Sequence, residues 1–160
     1  MLQFCQWLDQ TSIGTVIRQS LWLFPAIETI HLLGMAALVG TVTVLDLRLL
    51  GWAAQRQRVS EMAARLIPLI WLAFAVQVVT GVLLLSSEAV KIYGNPAFRL
   101  KMLLLFLAGL QALFFQTAIS RRLPAWDARP SLPFAARIIA VTSLLSWAGI
   151  VTAGRFIGFV

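Results

Sequence analysis

The chain is poor in most of what soluble catalytic sites are built from. Its 160 residues include one histidine, one cysteine, one tyrosine and six acidic side chains. A lone Cys5 excludes an intrachain disulfide and leaves the redox compartment unread; it reads as a small apolar residue on an interfacial helix. One histidine excludes a bis-histidine centre made within a single chain. There is no Gly-rich phosphate loop, no nucleophile elbow and no CxxC pair. Ser86, Ser87 and Ser146 have no histidine near them in sequence, so the residues name no reaction and leave open whether the protein is an enzyme. Charge is scarce too, at 12% of residues against about a quarter in a soluble domain.

What the chain has is apolar length. Hydrophobic residues make up 60% of it, with a mean hydropathy of +0.88. Four long apolar segments use most of the chain, at about 23–50, 64–86, 97–119 and 134–154. Each is long enough to cross roughly 30 Å of hydrocarbon. The expectation is a single membrane domain over 1–160: an all-α, integral four-helix bundle. Residues 3–19 place Phe4, Trp7, Leu8, Ile13, Val16 and Ile17 on one side and Asp9, Gln10 and Arg18 elsewhere. That pattern predicts an amphipathic helix lying in the interface, weakened by Thr11-Ser12 and Gly14. No cleavable signal peptide is expected, because the N-terminus lacks a basic n-region and the first apolar run is longer than an h-region.

Punctuation supports the segment boundaries. Pro25 suits a first helical turn and Gly51 a C-terminal cap. Pro68 falls in the first turns of the second segment, where it is tolerated. Glu88, Lys91, Tyr93 and Gly94-Asn95-Pro96 read as a loop, as does 121–130 with its arginines and prolines. Small residues at Gly34, Ala37, Gly40 and Thr41, and at Gly149 and Ala153, make strips for close helix packing.

The net charge of +7 does not point to nucleic acid, because the 13 basic residues are scattered through short connections. Arg48, Arg56, Arg58, Arg65, Arg121, Arg122, Arg129 and Arg137 follow the first and third segments, eight in all. Arg18, Lys91, Arg99, Lys101 and Arg155 fall on the other side, five in all. The positive-inside rule then puts the arginine-rich turns in the cytoplasm and both termini outside. Trp22, Trp52 and Trp126 fall at the depth of an aromatic belt. Trp71 and Trp147 lie deeper, where packing is the common role and cavity lining the rarer one.

The strongest functional pattern is Glu28, His31 and Met35 in the first segment. Residues three and four apart share a helix face, and an ionisable pair inside an apolar span is a functional-site hypothesis by default. At 1.5 Å per residue, His31 lies about 10 Å below the helix start. Glu28, His31, Gln77, Thr80, Lys101 and Arg155 are all expected in the outer half. Carboxylate, imidazole and thioether on one stripe suit a metal site of His31, Glu28 and Met35, completed by another span or subunit. In a haem b site, His31 would ligate iron and Lys101 or Arg155 would pair the propionates. The structural alternative bonds Glu28 to Arg155 or Lys101 and His31 to a backbone or hydroxyl group. Asp46 and Arg48, two apart and not facing each other, read as helix-end anchors for the arginine-rich turns.

The run Ile30-His31-Leu32-Leu33-Gly34, with Gly40 and Asp46-Leu47-Arg48-Leu49-Leu50-Gly51, resembles a family of small, largely uncharacterised bacterial inner-membrane proteins with four spans. More distantly, the chain looks like HemJ-type protoporphyrinogen oxidases and CopD-like membrane domains. Those have an early-span histidine, a glycine beyond it and an Arg-Leu at the inner end. They also have a lysine-containing start to a later span, matched here by Arg99-Leu100-Lys101-Met102. The HemJ resemblance implies haem b on His31. Since those proteins hold further histidines and this chain holds none, it implies single-histidine or intersubunit ligation. The CopD resemblance implies copper handling at His31 and Met35.

The expectation is therefore a cofactor-binding membrane protein, carrying haem b, copper or another transition metal for electron transfer or metal handling. Its partners are the lipid bilayer and either further copies of itself or a larger membrane complex. The competing expectations are an accessory subunit in which Glu28 and His31 lock the bundle, and a proton-coupled transport component in which they relay protons.

Overall fold

The computed structural model describes residue 7, residues 10–128 and residues 132–159. Cys5, Asp9, Arg129 and most of the expected helix before residue 10 lie outside them. The described elements are helices: α1 (Ser12–Gln19), α2 (Leu23–Leu50), α3 (Val59–Tyr93), α4 (Pro96–Phe114), α5 (Leu123–Asp127) and α6 (Phe134–Phe156). Four helical stretches are long and apolar enough to cross a membrane, the third running from Pro96 to Asp127. Large apolar side chains stand exposed along all of them, such as Leu33 at 66%, Phe106 at 63% and Leu145 at 68%. In water such surfaces would be a liability; in hydrocarbon they face their solvent. The protein is a multi-pass, all-α membrane bundle.

Helix ends follow local chemistry. Thr11 accepts a hydrogen bond from the Gly14 N–H and caps α1, and Gly14 and Ile17 are buried. The residues that weakened this helix in sequence are thus its start signal. Gly51 adopts the left-handed conformation, φ +79°, at the end of α2, and the following Trp52 N–H reaches back to Leu47 O. That closes the helix in the expected way. Asn95 caps α4 by accepting from the Ala97 and Phe98 N–H groups, while its Nδ2 donates to Ile157 O.

Two boundaries depart from expectation. α3 begins at Val59 and runs to Tyr93, with one non-helical residue at Glu88. The presumed loop at 88–93 is therefore helical, and Pro68 sits inside the helix rather than in its first turns. Beyond α4 the chain does not turn at residue 119. A π-helical turn at Phe115–Ile119 and a 3-10 turn at Ser120–Arg122 carry it into α5. Asp127 then accepts from the Val59 and Ser60 N–H groups and the Ser60 hydroxyl. The carboxylate caps the positive end of α3, which pins the supposed loop as a packed element. Trp126 is buried at 7% exposure in the same cluster and does not join Trp22 and Trp52, which are exposed at 83% and 77%.

The packing order is α3, α2, α6, α4, with α1 laid against α3. Gly149 lies so close to Leu104 that a Cβ there would come within 2.9 Å, so the Gly149/Ala153 strip joins α6 to α4. Of the strip on α2, Gly34 meets Val76 and Gln77, whereas Gly40 meets nothing within 4 Å. α3 and α4, although consecutive, scarcely touch. The bundle is a row bent round a central space and not a closed ring.

Candidate functional site

The buried face of α2 is Ile27, Leu38, Val42, Leu45, Asp46 and Leu49. His31 and Met35 border that face and are half-buried; Glu28 is exposed. The stripe of three therefore winds from the surface into the bundle instead of facing one partner throughout.

Two residues of α3 meet His31. Its Nδ1 lies 2.7 Å from Thr80 Oγ1, and Gln77 Nε2 donates to His31 O at 2.6 Å. Both are buried, one helical turn apart, which is why they reach the same residue. The glycines give the room: a Cβ on Gly34 would come within 2.8 Å of Gln77 Nε2, and one on Gly81 would lie 3.5 Å from His31 Cε1. Thr80 Oγ1 also lies 2.7 Å from Val76 O. A hydroxyl has one proton to give. With it on Val76 O, the usual back-bond of a helical threonine, the ring hydrogen sits on Nδ1. Nε2 then keeps its lone pair.

Lys101, near the start of α4, is half-buried and close enough to His31 to interact with it electrostatically. Its stem lies along Gly154 of α6, where a Cβ would be 3.4 Å from Nζ. Arg155 is exposed and stacks on Phe159, 5.7 Å from the ring centroid. Glu28 makes no hydrogen bond or ion pair with Lys101 or Arg155 among the described residues. The structure thus brings together His31, Thr80, Gln77 and Lys101, and leaves Glu28 and Arg155 at the surface. No group of three His, Cys, Asp or Glu side chains converges among the described residues. Within the chain, His31 Nε2 is the donor such a site has, with the half-buried Met35 thioether four residues on; further ligands would come from a second copy or from outside.

Asp46 corrects its reading as a helix-end anchor. It is buried at 4% exposure, lines the same cavity as Ser143 of α6, and leaves Oδ2 without a protein partner. Arg48 is the anchor: its Nε and one terminal nitrogen donate to Gln57 O at 3.0 and 2.6 Å. The spacing held the clue, since 46 lies four beyond Val42 and eight beyond Leu38. Trp71 and Trp147 line the cavity that Asp46 faces.

No curated protein and no solved structure matches the chain. Residues 4–160 match the family described as "Family of unknown function (DUF6644)", and the chain belongs to that family.

Proposed function

We propose that the protein is a cofactor-binding protein of the bacterial inner membrane, with both termini in the periplasm. It presents His31 Nε2 as the ligand of a haem b or of a transition metal such as copper. The observation that carries this reading is Thr80 on Nδ1. A hydrogen bond on the far ring nitrogen fixes tautomer and orientation, as it does behind metal-bound imidazoles. Lys101 supplies a cation for a propionate or another anionic ligand. With one imidazole per chain, the remaining position goes to a second copy, to Met35 or to a small exogenous ligand. The HemJ-like and CopD-like resemblances point the same way, towards electron transfer or metal handling. The test is a visible spectrum with metal analysis of the protein purified from its own membrane. A Soret band or stoichiometric metal that disappears in His31→Ala supports the reading; a colourless, metal-free wild type rejects it.

A second reading rests on Gln77. Its bond to His31 O, together with the Thr80 contact, clamps α2 to α3 whether or not anything is bound. The protein is then an accessory membrane subunit, and His31→Ala lowers thermal stability without changing any bound species. Proton relay has no such support, because Glu28 stands exposed.

A further inference from the structure

Fifteen residues beyond His31 on α2, about 22 Å along the axis, the bundle holds a second polar feature. A cavity of about 290 Å³ lies between α2, α3, α4 and α6. An apolar cavity of roughly 150 Å³ takes a benzene ring, so this one has space for about two fused rings. Trp71, Phe74 and Trp147 line it, and Asp46, Ser143, Gln111 and Gln116 are its polar lining. The gap between α3 and α4, which scarcely touch, opens it sideways towards the acyl chains. The packed cluster of Leu49, Met62 and Leu123 closes the bundle beyond it.

We propose that this cleft binds a lipid-soluble molecule with a hydroxyl on a ring-sized head, hydrogen-bonded to the Asp46 carboxyl. A buried carboxyl oxygen left unmatched costs more than most hydrogen bonds return, and Oδ2 has no protein partner. A hydroxyl both donates and accepts. It therefore satisfies the cavity-lining carboxyl in either protonation state, whereas an ammonium serves the carboxylate alone and a ketone the acid alone. The aromatic walls suit a ring, and the lateral opening lets an apolar tail trail into the bilayer.

The test uses the full chain in lipid nanodiscs with labelled 2-naphthol and naphthalene, empty discs being subtracted. Wild type should bind naphthol saturably, one per chain, and about tenfold more tightly than naphthalene. Asp46→Leu removes a buried carboxyl with an unmatched oxygen, so it should fold with an unchanged or higher Tm, retain naphthalene and lose the preference. A Cβ on Gly109, which also lines the cavity, meets nothing within 4 Å, so Gly109→Leu should fill the space, keep the fold and abolish both ligands. An equal preference in wild type and Asp46→Leu overturns the proposal and leaves the carboxyl without a part in binding. No saturable binding to folded wild type also overturns it, the cleft then being filled by a lipid tail or a second copy. Neither result bears on the spectrum that tests His31.

Discussion

Thr80 carries most of what can be tested at single residues. Thr80→Val keeps the outline but removes the oxygen that His31 Nδ1 meets at 2.7 Å. A half-buried ring nitrogen loses its partner, so stability should fall by about 1–2 kcal/mol, read as a Tm about 2–6 °C lower in detergent. A bound metal or haem should weaken by about 10–100-fold, the usual effect of losing an outer-shell partner. Thr80→Ser, which restores the hydroxyl, should recover most of both. Gly34→Ala tests the neighbouring contact. Its Cβ would meet Gln77 Nε2 at 2.8 Å, so Gln77 must release His31 O, at a cost of about 1 kcal/mol in the same melting measurement. An unchanged Tm in both variants would remove the clamp. His31 was legible in the sequence because a lone imidazole in an apolar span has few bland explanations. Asp46 is harder to read because its neighbour Arg48 suggests a helix end, whereas its face is set by Val42 and Leu38, one and two turns back.

Among elements, stops made by backbone chemistry were legible and stops made by packing were not. Gly51 ends α2 because glycine takes a left-handed φ without penalty, and Asn95-Pro96 starts α4 because the side chain caps and the ring suits a first turn. Nothing comparable marks residue 119 or 88. Across 115–122 the helix changes pitch without breaking, and 123–127 stays helical because Trp126 and Leu123 bury against Val59, Met62 and Ala63. That burial is tertiary, so periodicity could not show it. Asp127 ties this segment to α3, and Asp127→Ala should leave the first N–H groups of α3 uncapped, costing about 1–2 kcal/mol. Asp127→Asn, which keeps an acceptor, should cost less. Equal melting temperatures for Asp127→Ala and wild type would show that the cap contributes nothing.

For the whole molecule, the number of spans follows from composition, but their order in space does not. Hydropathy fixes how much chain must lie in hydrocarbon, while neighbours are chosen by close approaches such as Gly34 on α3 and Gly149 on α4, whose partners lie far off in sequence. The open seam between α3 and α4 is likewise invisible in either helix alone. Orientation is the property that charge dictates: eight basic residues against five favour holding the 51–58 and 115–137 end in the cytoplasm. Two exposed positions read it out in a Cys5→Ser background. Gln57→Cys sits in the arginine-rich turn, and Gly94→Cys sits in the turn before α4, where φ is −80° and a Cβ meets nothing within 4 Å. A membrane-impermeant maleimide added to intact spheroplasts should label Gly94→Cys and spare Gln57→Cys until the membrane is opened. The reverse pattern would put the arginines outside and His31 near the cytoplasmic face. Any partner delivering electrons or metal to that imidazole would then have to be sought in the cytoplasm.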